Sequence, residues 1–117
     1  MVIRQGEIYW VNLGVAQASE PAFRYPCLVV QNNLFNMSRI HTVVVCALTS
    51  NLKRAEAPGN VLLPKGEADL PKKSVVNISQ IYTVNKDDLD EKIGRVSDRW
   101  LAQVLDGVQL LLQPRNV

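Results

Sequence analysis

With 117 residues the chain is expected to form a single domain, residues 1–117, large enough to hold a core without metal or disulfide staples and short for two domains. Its 13 Lys+Arg against 11 Asp+Glu leave a formal charge of +2, too small for charge alone to mark a nucleic-acid binder, so any basic surface must be local. A hydrophobic content of 47% argues against disorder, and no apolar run approaches a membrane span, so a soluble protein is expected.

The first residues, Met1-Val2-Ile3-Arg4-Gln5, lack the charged, apolar and small-residue layout of a secretory signal, which predicts a cytoplasmic chain. After Gly6, residues 7–13 alternate and are rich in aromatic and β-branched side chains, a first strand. Residues 14–23 are small or polar with no helical stripe and read as a long loop, a length that in a small domain tends to serve function. Residues 25–31 are a continuous apolar run bounded by Pro26 and by amides, a strand buried on both faces. Residues 33–38 fit one helical turn capped by Asn32 or Asn33, and residues 42–48 repeat the buried-strand pattern as a natural neighbour of the second strand.

A break carrying Lys53 and Arg54 follows and closes at Pro58-Gly59. Short strands are predicted at 60–63 and 74–77, separated by a charged turn between Pro64 and Lys73; residues 80–84 stay extended, 86–89 turn, and 92–96 form a last strand. From Asp98 to about Leu112 the period changes: Trp100, Leu101, Val104, Leu105, Val108, Leu111 and Leu112 recur at three and four residues, an amphipathic helix with Ser97 as N-cap and Pro114 as stop. Many short strands and one long terminal helix make the fold class mainly β: a small, strongly bent, barrel-like antiparallel sheet with the helix packed across it.

Polar groups sit where strands begin and end. Arg24 stands at the mouth of the second strand and Thr49-Ser50 leaves the third, a cation and two hydroxyls on rigid elements, as a site for an anionic ligand requires. The same residues also fit ordinary roles, Arg24 as a surface arginine and Thr49-Ser50 as a turn cap. Cys27 and Cys46 lie inside apolar strands without metal-ligand spacing and read as buried thiols. His41, the lone histidine, has no partner acid in view and reads as structural or surface. Tyr9 and Trp10 are adjacent in a strand, so one faces inward, and core packing is the default role. Lys53, Arg54, Lys72 and Lys73 form local basic clusters, usually a solvated rim, which could also guide an anionic ligand.

Gly6-Glu7-Ile8-Tyr9-Trp10-Val11, Ser19-Glu20, Pro26-x-Leu28-Val29-Val30-Gln31-Asn32, Thr42-Val43-Val44-Val45, Leu48-Thr49-Ser50, Ser74-Val75-Val76 and Gln80-Ile81-Tyr82-Thr83-Val84 occur in that order. In this order and spacing the chain resembles the MazF/PemK (Kid) family of toxin endoribonucleases. The resemblance implies a homodimer that cleaves single-stranded RNA at short sequence motifs without a metal or other cofactor, leaving 2′,3′-cyclic phosphate and 5′-hydroxyl ends. It also implies a MazE-like cognate antitoxin whose disordered C-terminal part blocks the RNA groove.

By the same resemblance Arg24 and Thr49 are the catalytic residues, and Ser19, Glu20 and Gln80 contact RNA; Ser50, beside Thr49, can donate to the same phosphate oxygens. The arginine stands directly before the proline in most of the family, whereas Tyr25 holds that position here. With Arg24 one residue earlier, the period-two alternation of a strand turns its side chain to the other face unless the backbone is bulged there. Ser79 and Tyr82 stand where some relatives carry an acid and a base. Two other readings are a CcdB-like toxin that inhibits DNA gyrase by binding it, and a catalytically silent relative that binds only its antitoxin or operator complex.

Overall fold

The computed structural model describes residues 1–13 and 24–115. Six strands form one antiparallel sheet: β1 (Glu7–Asn12), β2 (Arg24–Val29), β3 (Thr42–Thr49), β4 (Val61–Leu63), β5 (Ser74–Asn85) and β6 (Leu89–Arg95), in the spatial order β4-β5-β3-β2-β1-β6. A one-turn helix α1 (Asn33–Asn36) links β2 to β3, and the long helix α2 (Asp98–Leu112) ends the chain. The architecture is the expected mainly β sheet with a C-terminal helix.

Sequence pattern explains the layering. β2 and β3 lie in the middle of the sheet and are apolar on both faces, so their alternate residues enter two separate cores. Ile8, Leu28, Cys46, Leu48, Val76 and Ile78 face α2, which buries Leu101 and Val104 against them; each such aliphatic side chain contributes about 2 kcal/mol of burial. Tyr9, Val11, Cys27, Val29, Val43 and Val45 fill the opposite core, closed by Leu89. The sheet curls toward closure. The 3-10 turn Glu67–Asp69, which follows β4 at one edge, packs on Gly94 of β6 at the other, and Ser97 N donates to Glu67 Oε2 at 2.8 Å.

Two departures from the sequence expectation matter for the site. β5 is one strand of 12 residues instead of two short ones, and its register against β3 jumps between Cys46↔Ile81 and Leu48↔Val76. The residues between, Asn77 to Gln80, therefore bulge, as an inserted residue set does in a paired strand. β6 starts at Leu89, three residues ahead of the expected strand, because the 3-10 turn Lys86–Asp88 is closed by its own capping bonds, with Asn85 N donating to Asp88 Oδ2 at 3.1 Å. Ser97 occupies the N-cap position of α2, yet its hydroxyl makes no cap bond.

Cys27 and Cys46 are free and fully buried, one in each core, on opposite faces of adjacent strands, so no disulfide joins them. Burial pushes both thiols up to about 12, Cys27 with added repulsion from Cys46. Burial likewise pushes the Tyr9 phenol up, helped by its bond to the Glu7 carboxylate at 2.9 Å. Groups whose folded pKa is raised add stability that is complete below their unfolded pKa and lost as pH climbs to the folded one. Melting temperature is therefore expected to fall from about pH 9 toward pH 12, and a Cys27→Ala/Cys46→Ala double variant should show a shallower alkaline decline in circular-dichroism melts. An unchanged slope would exclude the thiols as its source.

Glu7 behaves in the opposite sense. Burial raises its carboxyl, but bonds from Lys92, the Arg4 amide and Tyr9 outweigh burial and hold it below the usual range, so its contribution is lost as pH falls below about 4.5.

Candidate functional site

The third strand ends in a hollow. Beyond the last register pairs of β2 and β3, Cys27↔Ala47 and Leu28↔Cys46, the same alternation brings Tyr25 opposite Thr49, both on the face of Cys27 and Ala47. The β5 bulge swings Asn77, Ser79 and Gln80 toward them. Together these residues line an open cavity of about 310 Å³, with Asn51 and Arg54 from the segment after β3 completing its wall.

Short polar bonds fix that wall. Asn51 N donates to Thr49 Oγ1 at 3.1 Å, and Asn51 Oδ1 caps the 3-10 turn Leu52–Glu56 by accepting from Lys53 N at 3.2 Å. Asn60 Nδ2 donates to the Arg54 carbonyl at 2.9 Å and to Asn77 Oδ1 at 3.2 Å, while Asn60 Oδ1 accepts from Ile78 N at 2.8 Å. Asn60 thus ties the turn to the bulge. Tyr82 donates its phenolic hydrogen to Gln80 Oε1 at 2.6 Å, which orients that amide and leaves its NH₂ as donor. The described lining residues present hydroxyls, amides and a guanidinium; none is a carboxylate or an imidazole.

A second hollow of about 240 Å³ adjoins the first. Leu48, Thr49 and Tyr25 belong to both, so Thr49 stands on the ridge between them, and Trp10, Ser50, Lys72 and Ser74 line the far side.

The expected site residues distribute unequally. Thr49 and Gln80 share the first hollow, and Ser50 with Thr49 lines the second. Ser19 and Glu20 lie outside the described residues. Arg24 is not brought to Thr49: its guanidinium pairs with Asp90 at 3.0 Å and lies 5.0 Å from the centroid of the Trp10 ring, and it lines neither hollow. The reason is alternation without a bulge. The β1–β2 register runs unbroken from Ile8↔Leu28 to Asn12↔Arg24, so Arg24 shares the face of Pro26 and Leu28 while Tyr25 takes the face of Thr49.

His41 sits before the opposite end of β3, about 25 Å of extended chain from Thr49, where its carbonyl accepts from Lys86 N at 2.7 Å. Of the two adjacent aromatics, Tyr9 is the core residue and Trp10 the half-exposed one. Sequence reasoning did not find Asn51, Asn60 or Asn77. Their signal was the cluster of asparagines flanking strand ends, which marks side chains that bond neighbouring backbone.

A curled antiparallel sheet with one terminal helix and a polar hollow at a strand end defines a class of small, mainly β proteins. The family described as "PemK-like, MazF-like toxin of type II toxin-antitoxin system" matches residues 4–112. The chain is 46% identical over 113 residues to "Endoribonuclease MazF6" of Mycobacterium tuberculosis, covering 91% of this chain and 99% of that protein. It is 32% identical over 111 residues to "Endoribonuclease MazF" of Staphylococcus saprophyticus, covering 95% and 92%.

Among solved structures, an "Endoribonuclease in complex with its cognate antitoxin from Mycobacterial species" aligns with a TM-score of 0.76 at 25% identity over 97% of this chain and 99% of that one. A MazE-MazF structure from Deinococcus radiodurans aligns with a TM-score of 0.77 over 96% of each chain; at 22% identity it bears on the fold alone. The chain belongs to the PemK-like, MazF-like toxin family of type II toxin-antitoxin systems. Its nearly full-length curated relatives are endoribonucleases.

Proposed function

We propose that this toxin is an endoribonuclease that cleaves single-stranded RNA at the Thr49 ridge, at short sequence motifs and without a metal or cofactor. The observation that carries the reading is the meeting of Thr49 and Gln80 in one open hollow, on a chain of this family. In the reaction the ribose 2′-oxygen attacks the adjacent phosphorus, the bond from phosphorus to the 5′-oxygen breaks, the 2′-proton leaves and a proton reaches the departing oxygen. The ends are a 2′,3′-cyclic phosphate and a 5′-hydroxyl, and no water is consumed in this step.

Donors aimed at the pentacovalent phosphorane lower its energy, and the Thr49 hydroxyl and the Gln80 NH₂, which share the hollow, are the donors this reading assigns to it. Ser50, on the second hollow, binds the neighbouring backbone, and Trp10 there offers a ring face on which a base can stack. Two hollows joined at a ridge suit an extended strand whose bases splay to either side of the cut.

The working form is a homodimer in the cytoplasm, and a MazE-like antitoxin lays its disordered C-terminal part along the same groove. Among the described residues no helix is long and apolar enough to cross a membrane. A second reading, a member that binds its antitoxin and cuts nothing, draws on the placement of Arg24 away from Thr49. Incubating the purified protein with a pool of long single-stranded transcripts in excess EDTA, and mapping the ends, separates the two. Discrete cuts bearing cyclic-phosphate ends support the nuclease; intact RNA across the pool removes it, and supercoiling inhibition without cleavage would turn the assignment to a gyrase inhibitor.

A further inference from the structure

The hollow carries one cation among its described lining residues, Arg54, and it comes from the turn after β3, not from the mouth of β2. We infer that Arg54 holds the scissile phosphate against Thr49, a role that rests on the nuclease reading of the hollow.

Three observations point to it. The first is position: Arg54 lines the same cavity as Thr49, Tyr25 and Gln80, whereas Arg24 lines neither hollow. The second is a fixed base. The backbone under Arg54 is held at both ends, by the Asn51 cap that also bonds Thr49 and by Asn60, which bonds both the Arg54 carbonyl and the β5 bulge. The third is an uncommitted charge. Arg24, Lys92 and Arg95 are each paired with a carboxylate, while the Arg54 guanidinium has no ion pair or hydrogen bond among the described residues.

An exposed arginine on a fixed turn, lining a hollow of hydroxyls and amides whose described lining holds no carboxylate, matches a phosphodiester. Its planar fork can bond two non-bridging oxygens at once and gains strength as negative charge builds on the phosphorane. It needs no proton transfer for this. Lys53, next to it on the same turn, lines neither hollow.

The test compares Arg54→Ala, Arg54→Lys and Lys53→Ala with the unaltered protein on a short RNA containing one mapped cut site, in EDTA. The same RNA with a 2′-deoxy sugar at the cut, which cannot react, reads binding. Arg54→Ala is expected to lower kcat by about 100-fold and to weaken binding of the unreactive RNA by a smaller factor. Arg54→Lys keeps the charge without the fork and should fall between, while Lys53→Ala stays within about twofold, as an exposed charge outside the site should.

Equal losses for Lys53→Ala and Arg54→Ala would reduce the effect to general charge and overturn the assignment, as would cleavage by Arg54→Ala at the unaltered rate. If the unaltered protein cuts no RNA, the nuclease reading falls and takes this role with it. If it cuts and Arg54→Ala cuts equally, this role alone falls.

Discussion

Thr49→Val should lower the rate of RNA cleavage by two to three orders of magnitude while leaving the protein folded. The substitution replaces one hydroxyl by a methyl group and keeps the β-branched shape, so strand preference at the end of β3 is preserved. What is lost locally is the acceptor for Asn51 N, a bond at a half-exposed position where water can take over, worth about 1 kcal/mol at most. That corresponds to a few degrees of melting temperature. Removing one donor preorganised toward a transition-state oxygen costs about 100-fold to 1,000-fold in kcat, far more than the fold can account for.

The comparison that isolates the hydroxyl is Thr49→Ser, which restores it on a less rigid side chain and should recover most of the rate. Single-turnover cleavage with the protein in excess, beside thermal melts of each variant, reads both quantities. Activity in Thr49→Val within a few fold of the unaltered protein would move the reaction away from this hollow altogether.

The fold was legible because its signals are periodic. Continuous apolar runs identified β2 and β3 as central strands, and the three-and-four spacing from Trp100 to Leu112 gave α2 with both of its ends. The site was legible only in part, for a reason of register. Thr49 stood out as a hydroxyl leaving an apolar strand, whereas Gln80 was named only through the family resemblance; the two line one hollow. Where Arg24 points, however, depends on whether one backbone residue is inserted before Pro26, and no composition or period reveals that; the unbroken pairing with β1 decides it.

The β5 bulge was half visible as the gap at Ile78-Ser79 between two expected extended runs, which reads locally as the end of one strand and the start of another. The pairing of both halves with β3 makes them one strand and turns the break into a wall of the cavity. Arg54 was visible as one charge in a basic pair, but its difference from Lys53 appears only once the turn is wound onto the hollow.

Gly107→Ala should lower the melting temperature by roughly 10 °C, against the ordinary preference of helices for alanine. Gly107 is buried on the face of α2 that meets the turn before β4. A β-carbon there would lie 2.3 Å from the Gly59 carbonyl oxygen and 3.0 Å from Ile78 Cγ1. The Ile78 side chain can rotate, but the Gly59 oxygen is backbone, and the next residue, Asn60, is tied to the Arg54 carbonyl and to Ile78 N. Exchanging glycine for alanine within a helix gains about 1 kcal/mol from propensity, while a contact this short forces the helix outward and loosens Leu101 and Val104 in the core, a cost of about 3 kcal/mol.

Strain therefore exceeds propensity by about 2 kcal/mol. Gln103→Ala, one turn earlier and exposed, shares the propensity change in miniature without the contact and should leave the melting temperature within a degree or two. The damage should also reach the hollow beside Thr49, because Asn60, the residue after Gly59, bonds the Arg54 carbonyl and Ile78 N. At a temperature where Gly107→Ala is still almost wholly folded, its RNA cleavage is expected to fall about tenfold, since a displacement near 1 Å in a supporting element is enough to spoil a preorganised site. A melting temperature that rises instead would mean that α2 does not seat on Gly59, and the link from the helix to the hollow would go with it.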